Sequence, residues 1–484
     1  MNEDALPGSW VWTSIKEICD LINGRAFKPE EWSTQGLPII RIQNLNNINT
    51  DFNYCNFEVE EKYLVNNGQL LFAWSGTPGT SFGAHIWNRG EAVLNQHIFK
   101  VQIDENCINK IFFLYLINRN ISEYIKKAHG TAGLAHITKN KFENSTILIP
   151  PLPEQRRIVT KLEELFTKLD AGVEALKKTQ AQLKRYRQSI LKAACEGKLV
   201  PTEAEMAKAE GRAYEPADVL LTRILQERRK KSKGAKYKEL SAPDANGLPE
   251  LPEGWCSAFL EQIAEINPKL PNNGLNDDTE VSFLPMKVVE EQTGRYDLSI
   301  IKKYIEVKKG YTSFINGDII FAKITPCMEN GKIAVVENLK NGIGFGSTEF
   351  HVIRIFGNDI SRTYIFNFIL QENFRRDAQR SMTGSAGQLR VPADYLRQTP
   401  IPLPPLPEQR RIVAEVERRL SVADGVERTV EQSLMQAKRL RQSILKKAFE
   451  GRLVAQDASD EPAGVLLERI KAEKARTGEK KRKR

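Results

Sequence analysis

Long hydrophobic runs are absent from this sequence of 484 residues. No uninterrupted apolar stretch reaches the ~18 residues that a membrane-spanning helix needs. The opening residues, MNEDALPGSW, show neither the basic segment nor the apolar segment of an export signal. Hydrophobic residues make up 41% and charged residues 27% of the chain, which is typical of globular proteins. We therefore expect a cytoplasmic protein of roughly two to four domains that makes no membrane contact.

Recognisable metal and nucleotide motifs are also missing. The six cysteines are scattered without a CxxC pair, and the five histidines include no HExxH. This pattern favours reduced core thiols over a disulfide framework, a zinc site or a catalytic metal. Gly197-Lys198 and Gly331-Lys332 lack the upstream glycine and the following hydroxyl of a phosphate-binding loop. The sequence thus predicts that this chain itself holds neither a metal nor a nucleotide cofactor.

The positive charge is concentrated in two short segments. The net charge is +10, and residues 228–238 carry seven basic and no acidic residues. Residues 476–484 carry six basic residues and one acidic residue, so the rest of the chain sums to about −2. The two segments fit either a solvated linker and tail or flexible contacts to phosphates that add affinity without sequence preference.

What the sequence does contain is a long internal repeat. The segment PPLPEQRRIV occurs at residues 150–159 and again at 404–413, a shift of 254. The same shift holds from GTAG (130–133) against GSAG (384–387) to RQSILK, at 187–192 and 441–446. Weaker matches lie outside this block at shifts of 245 to 249, such as LPGSW (6–10) with LPEGW (251–255). Each half therefore consists of a variable domain followed by a segment of fixed length.

Each repeated segment is predicted to form one long helix. Its prolines favour an extended approach, and Pro153 is placed for the first helical turn. Gly197 is a suitable end. Apolar residues between them recur at steps of three and four, which is typical of a coiled-coil seam. The predicted seam positions are 158, 162, 165/166, 169, 173, 176, 183, 186 and 190 in the first copy, and 412, 416, 420, 423, 426, 430, 434, 437, 440 and 444 in the second. Roughly 44 residues at 1.5 Å each would give a rod of ~66 Å.

A rod of that length needs a partner to cover its apolar stripe. The other copy is available in the same chain, so we predict antiparallel pairing about a pseudo-two-fold axis. The alternative is that each helix packs on its own domain or on other proteins. The predicted division of the chain is a first domain (1–149), a first spacer helix (150–200), a helix and basic linker (201–249), a second domain (250–403), a second spacer helix (404–454), and a C-terminal helix with a basic tail (455–484).

Both variable domains are predicted to be mixed α/β (α+β). Strands are indicated at 38–45, 68–74 and 96–103 in the first domain, and at 317–324, 332–336 and 349–356 in the second. Helices are indicated at 110–128 and 362–380. Each of these helices leads into a loop of small residues, GTAGLAHI (130–137) or GSAGQLRV (384–391).

The order of variable domain, PPLPEQ helix, variable domain and PPLPEQ helix resembles the specificity (S) subunit of type I DNA restriction-modification enzymes. The resemblance implies that each variable domain is a target recognition domain for one half of a split DNA sequence. It also implies that the paired helices act as a spacer and dock two modification (methyltransferase) subunits, to which restriction subunits add. The helix residues assigned to these roles are Glu154, Gln155, Arg156, Ile158, Leu162, Leu169, Gln188, Glu408, Gln409, Arg410, Ile412, Val416 and Gln442.

The resemblance further implies that the chemistry belongs to the partner subunits. These would methylate adenine with S-adenosylmethionine and cleave DNA with ATP and Mg. An adenine methyltransferase needs an Asn/Asp-Pro-Pro-aromatic loop for the flipped base. The Pro-Pro pairs here follow Ile149 or Leu403 and precede leucine. We therefore expect a non-catalytic subunit that binds double-stranded DNA.

Candidate DNA-binding residues are polar or aromatic side chains at strand ends and at the helix-to-loop junctions. Arginine and lysine suit guanine edges, and asparagine and glutamine suit adenine edges. The candidates are Arg41, Gln43, Asn44, Asn46, Trp74, Ser75, Lys126, Lys127, Thr131 and His136 in the first domain, and Lys287, Lys323, Thr325, Arg380, Thr383, Gln388 and Arg390 in the second. Matched positions differ in chemistry, which predicts an asymmetric bipartite target with half-sites about one helical turn (~34 Å) apart.

Two other classes of function stay open on the sequence alone. One is a coiled-coil scaffold whose variable domains are protein-binding modules. The other is an enzyme with a methyltransferase site that the motifs do not reveal.

Overall fold

The computed structural model describes residues 6–47, 49–77, 80–127, 135–231, 243, 249–271, 274–385 and 387–482. The chain divides into two units, Met1–Leu176 with Gln432–Arg484, and Lys177–Glu431. In the described part of the chain, no helix is both long enough and apolar enough to cross a bilayer.

The first domain alternates short strands with short helices. Its strands are β1 Val11–Ser14, β2 Cys19–Asn23, β3 Leu37–Ile40, β4 Asn53–Cys55, β5 Leu64–Val65, β6 Gln69–Ala73, β7 Ser75–Gly76, β8 Gly83–Trp87, β9 Ala92–Leu94, β10 Ile98–Ile103, β11 Ala135–His136 and β12 Thr146–Ile149. Its helices are α1 Ile15–Ile18, α2 Ile42–Asn46, α3 Lys110–Arg119, α4 Ile121–Lys127 and α5 Lys139–Glu143. Two four-stranded sheets form, in the orders β2-β10-β6-β8 and β4-β3-β9-β5, and β1 pairs with β12 at the two ends of the domain.

A long helix, α6 Leu152–Cys195, follows the first domain, and two shorter helices follow it, α7 Glu203–Glu210 and α8 Ala217–Lys231. The predicted end of the long helix is confirmed, since Gly197 adopts a left-handed φ of 67° just beyond it. Most of the basic segment at 228–238 lies outside the described residues.

The second domain repeats this architecture. Its strands are β13 Cys256–Phe259, β14 Ala264–Ile266, β15 Glu280–Leu284, β16 Ile301–Lys303, β17 Thr312–Ile315, β18 Ile319–Ala322, β19 Ile333–Val335, β20 Ile343–Gly346, β21 Phe350–Ile355 and β22 Pro400–Leu403. Its helices are α9 Leu260–Ile263, α10 Tyr304–Val307, α11 Arg362–Leu370, α12 Glu372–Arg380 and α13 Ala393–Arg397, after which come α14 Leu406–Ala448 and α15 Ala463–Arg482. Single 3-10 turns lie at Pro29–Glu31, Glu61–Tyr63, Met286–Val288 and Lys340–Gly342.

The two domains share one sheet topology although their sequences diverge. The second domain forms sheets in the orders β14-β21-β18-β19 and β16-β15-β20-β17, and β13 pairs with β22. In both domains the second sheet contains one parallel pair, β3 with β9 and β15 with β20, flanked by antiparallel neighbours. The predicted mixed α/β class of two tandem, internally repeated domains is therefore confirmed.

Each unit contains the start of one long helix and the end of the other. In the first unit, Ile158 and Leu162 of α6 share a core with Ile444 and Ala448 of α14. In the second, Ile190 and Ala194 of α6 share a core with Ile412 and Val416 of α14. This direction is antiparallel. The same helix residues also pack on the domain of their own unit. The alternative, in which each helix packs on its own domain, is therefore correct as well.

Ion pairs support the antiparallel direction in each unit. Arg441 Nη2 lies 2.6 Å from Asp170 Oδ1 in the first unit. Arg187 Nη2 lies 2.6 Å from Asp424 Oδ1 in the second. In each unit the ion pair lies nearer the middle of both helices than the shared core does, which is the order that antiparallel helices give. A supercoiled seam over the full length of the helices stays a prediction.

Three positions of the predicted seam are exposed. Tyr186, Val426 and Leu440 keep 43%, 40% and 51% of their surface accessible. The 3.6-residue period of an α-helix drifts against a 3.5-residue repeat, so a stripe drawn from the start of a helix rotates away from its partner over many turns. Assigning these three to the seam was wrong.

Two further details differ from the predictions. The strand predicted at 38–45 ends at Ile40, because the Asn44 side chain accepts a hydrogen bond from the Arg41 backbone N–H (3.0 Å) and starts a short helix. The single helices predicted at 110–128 and 362–380 each break in two, at Asn120 and at Gln371, whose ψ of 142° is extended. The predicted strands at 68–74, 96–103, 317–324, 332–336 and 349–356 are confirmed, with trimmed ends.

Candidate nucleic-acid interface

In the first domain, the end of a central strand meets the segment after the small-residue loop. Ser75 of β7 pairs with His136 of β11, and the Ile137 N–H donates to the carbonyl of Trp74 (3.0 Å). The Trp74 ring centroid lies 6.1 Å from that of His136, and its Nε1–H donates to the Gln96 carbonyl (3.1 Å). The structure therefore brings three predicted DNA-binding residues together. Ser75 is buried, while Trp74 and His136 are half-buried.

The second domain gathers its predicted residues at the corresponding place. The Thr325 N–H donates to the Leu389 carbonyl (3.0 Å), and the Val391 N–H donates to the Lys323 carbonyl (2.9 Å). Thr383 and Arg390 exchange two backbone hydrogen bonds of 3.0 and 2.9 Å. Gln388 is exposed beside them, and Lys323 and Thr325 are half-buried. Strand end and loop thus meet in both domains, with a tryptophan and a histidine in one and a lysine and an arginine in the other.

Arg390 is held in place by a carboxylate that the sequence reasoning missed. Its Nε and Nη2 donate to the two oxygens of Glu349, at 2.9 and 2.8 Å. This two-pronged contact fixes the guanidinium plane, and it lowers the pKa of Glu349 below the usual carboxyl range. The Glu349 carbonyl also accepts from the Lys323 N–H (2.9 Å). An acidic residue directly before a strand gave no sequence signal of this role.

The loops after β3 and β15, which include α2 and the 3-10 turn Met286–Val288, occupy matching positions in the second sheet of each domain. Gln43, Asn46 and Lys287 are exposed there, and Arg41 is half-buried. Asn44 is fully buried, and its amide donates to the Asp51 carbonyl (3.2 Å). Its polar atoms are used within the loop, so Asn44 shapes the loop, and its neighbours Gln43 and Asn46 are the exposed side chains there.

An exposed tryptophan beside this loop was also missed. The Arg41 guanidinium carbon lies 5.8 Å from the ring centroid of Trp32, which is 43% exposed. Of the remaining candidates, Lys126 and Arg380 are exposed near the ends of α4 and α12. Thr131 and the side chain of Lys127 lie outside the described residues.

The identical residues of the repeat fasten each long helix to its own domain. Trp10 Nε1–H donates to Glu154 (3.0 Å), and Trp255 Nε1–H donates to Glu408 (3.0 Å). Glu408 also accepts from the Glu203 N–H (2.8 Å). Burial raises the pKa of both Glu154 and Glu408. The LPxxW and PPLPEQ motifs of each half are thus the two sides of one buried contact.

The glutamines of the repeat act in the same way. Gln155 accepts from the Asn109 N–H (2.8 Å) and donates to the Pro150 carbonyl (2.9 Å). Gln409 accepts from the Ser361 N–H (2.8 Å) and donates to the Pro404 carbonyl (2.9 Å). Both side chains are fully buried.

The helix residues that were assigned to docking differ in how deeply they are buried. Eight of these side chains are at most 1% exposed, so the docking role does not fit them: Glu154, Gln155, Ile158, Leu162, Glu408, Gln409, Ile412 and Val416. Ile158, Leu162, Ile412 and Val416 are buried in the cores, and Leu169 is half-buried. Gln188 is half-buried and accepts from the Glu372 N–H (2.7 Å). Arg156, Arg410 and Gln442 are exposed and stay candidates for docking.

Within the described ranges, no group of three or more His, Cys, Asp or Glu side chains is placed to hold a metal ion. None of the six cysteines forms a disulfide, and four of them are buried. Burial raises the pKa of Cys195 and of Cys256 to about 12, so neither is a thiolate at neutral pH.

Residues 7–185 and 252–427 match the family model described as type I restriction modification DNA specificity domain. The chain belongs to this family. Its two specificity domains therefore correspond to the two halves of the repeat, and the matched ranges include part of each long helix.

Relatives of known name support this membership. The chain is 39% identical to the type I restriction enzyme EcoAI specificity subunit of Escherichia coli over 60% of its length, and 27% identical to the EcoBI specificity subunit of the same species over 98%. The alignments with the EcoAI and EcoEI subunits span little more than half of those relatives, 56% and 55%, whereas that with EcoBI spans 94%.

Solved structures share the fold. A chain from a type I R-M system aligns over 93% of this chain and 99% of its own length, with a TM-score of 0.58 and 19% identity. An HsdS subunit from Thermoanaerobacter tengcongensis aligns over 93% of this chain and 98% of its own, with a TM-score of 0.50 and 19% identity.

Proposed function

We propose that this chain is the DNA sequence-recognition subunit of a cytoplasmic type I restriction-modification complex. Each specificity domain reads one half of an asymmetric, bipartite target in double-stranded DNA. One observation carries the proposal: the two domains share a topology and a buried anchor to the long helices, yet they present different side chains at the same place in the fold. Scaffolds of the same topology with different contact residues suit a protein that reads two unlike half-sites.

The chemistry of each candidate patch supports reading by side chains. Arg390, oriented by Glu349, has the forked donors that match guanine O6 and N7. Lys323 lies beside it. The first domain offers the amides of Gln43 and Asn46, which match adenine, and the ring of Trp74 with the imidazole of His136. The second half-site is thus expected to depend on arginine and lysine, and the first on amides and aromatic rings.

The long helices are proposed to set the gap between half-sites and to dock two methyltransferase subunits. Because the buried anchors fix each helix start to its own domain, the length of the helix between anchors controls where the domains are held. The exposed Arg156 and Arg410 lie one turn beyond the helix starts and are available to partners. Modification and restriction subunits would supply catalysis with S-adenosylmethionine, ATP and Mg, and this chain would contribute no catalytic residue.

The proposal is tested with a reconstituted complex of this chain and compatible partner subunits. Sequence-selective methylation is measured on a library of duplexes with His136→Ala and, separately, with Arg390→Ala. Each variant should relax selectivity at one half-site and leave the other unchanged. If both variants methylate with unaltered selectivity while binding their partners, the domains do not read DNA through these patches, and the scaffold alternative gains support.

A further inference from the structure

A basic cleft lies in the second unit between the end of α6 and the start of α12. Its volume is about 440 Å³. Four cationic side chains line it, Lys184 and Arg185 from α6 and Arg375 and Arg376 from α12. Two carboxylates, Glu329 and Glu372, also line the cleft, so its walls carry an excess of two positive charges.

Arg375 is the unusual member of this cleft because its charge is buried. Only 6% of its surface is accessible, and its Nη1 donates to the backbone carbonyl of Glu329. Its Nε is buried and has no hydrogen-bond partner among the described residues. Burial lowers the pKa of Arg375 and outweighs the opposing field of the Glu372 carboxylate, but a guanidinium stays protonated in proteins. A buried cation of this kind is unfavourable unless an anion neutralises it.

We propose that this cleft binds a phosphate group, supplied by the backbone of the DNA that the second domain reads. Guanidinium groups match the tetrahedral oxygens of phosphate with forked donors, and the lysine adds a point charge. That DNA supplies this phosphate rests on the proposed function, and the position of the cleft supports it. α12 ends at Arg380, directly before the loop of Thr383 and Arg390, and Glu329 accepts a hydrogen bond from the Thr325 hydroxyl.

The repeat supplies a matched control. Lys184, Arg185 and Gln188 recur as Lys438, Arg439 and Gln442 at the shift of 254. The helix side of the cleft is therefore repeated in the first unit. The domain side is not, because α4 (ISEYIKK) contains no arginine where α12 (ENFRRDAQR) contains three. The same charge change can thus be made with and without a buried arginine opposite.

The test uses the full chain with the double variants K184Q/R185Q and K438Q/R439Q. All four side chains are exposed, so folding is preserved. Binding to a duplex of random sequence is measured against salt concentration. One lost phosphate contact lowers the slope of log affinity against log salt by ~0.9. We expect K184Q/R185Q to lower the slope by about 1 to 2, and K438Q/R439Q to lower it by less.

A second arm uses inorganic phosphate against chloride at equal ionic strength, with thermal unfolding as the readout. Phosphate should stabilise the wild type and K438Q/R439Q but not K184Q/R185Q. If phosphate stabilises the wild type but the salt dependence of DNA binding is the same in K184Q/R185Q as in the wild type, the cleft binds free phosphate. The proposal that DNA supplies the phosphate is then wrong. If phosphate stabilises the chain but the chain binds no duplex, the proposed function is wrong, whereas the phosphate site in the cleft stands. No difference between the two variants in either arm would overturn the cleft.

Discussion

Replacing Glu408 by alanine should loosen the start of α14 from the second domain. The carboxylate is fully buried and accepts two hydrogen bonds, from Trp255 Nε1–H at 3.0 Å and from the Glu203 N–H at 2.8 Å. Alanine leaves both donors buried without an acceptor, at about 1–3 kcal/mol each. Removing the carboxylate also removes the unfavourable burial of its charge, which offsets part of this loss of stability. We therefore expect local stability to fall by about 2–4 kcal/mol. Glu408→Gln keeps the shape and one acceptor, so it should cost about half as much.

The assay is amide hydrogen exchange in the full chain, since a chain of two units need not unfold in one step. Protection should fall for the amides of residues 203 and 408–416 in Glu408→Ala, while segments of the first unit stay unchanged. Glu417→Ala, at an exposed position on the same helix, is the matched control and should change stability by less than ~0.5 kcal/mol. Unchanged protection around residue 203 in Glu408→Ala would refute the reasoning.

The same residue predicts a pH dependence. Burial raises the pKa of Glu408 above its ordinary value of 4.5, so the folded chain binds that proton more tightly than the unfolded chain. Its contribution to stability is fully present below pH 4.5 and is lost as pH rises through the folded pKa. The stability difference between wild type and Glu408→Gln should therefore shrink from pH 4.5 toward neutrality, and a difference that grows with pH would contradict the assignment.

Three further outcomes are expected. Inserting seven residues after both Lys178 and Gln432 lengthens each helix by ~10.5 Å. This should widen the gap in the recognised DNA by at most about three base pairs, with both half-sites unchanged in methylation mapping; an altered half-site with an unchanged gap would defeat the idea of a ruler. Arg390→Ala should cost about 1–3 kcal/mol of base discrimination at one half-site, and Glu349→Gln should cost less, as measured by competition between duplexes. Calorimetry of the chain alone with S-adenosylmethionine should show no binding, whereas saturable binding would revive the alternative of an enzyme.

Local pattern was enough to predict the long helices and most of the strands. The prolines before the helix, the glycine that ends it and the apolar residues at steps of three and four are all local features. The sequence therefore predicts the helix at 152–195 directly. The breaks at Asn120 and Gln371 could not, because they depend on how each helix pair packs on its sheet.

The role of the repeated motif was misread for a similar reason. Glu154 and Glu408 were assigned to spacing and docking, because no local pattern reveals their contact with a tryptophan 144 residues away in one half and 153 in the other. Glu349 was missed in the same way, since its partner Arg390 lies 41 residues later in a loop. Contacts between distant segments need the fold.

The central claim, that one chain reads two unlike half-sites at a fixed distance, is tested most directly by methylome sequencing. Cells that lack other adenine methylation would express this chain with compatible modification and restriction subunits. The account predicts a single methylated motif made of two different specified parts separated by a constant number of unspecified bases. A continuous motif, two identical halves, or a variable gap would contradict it.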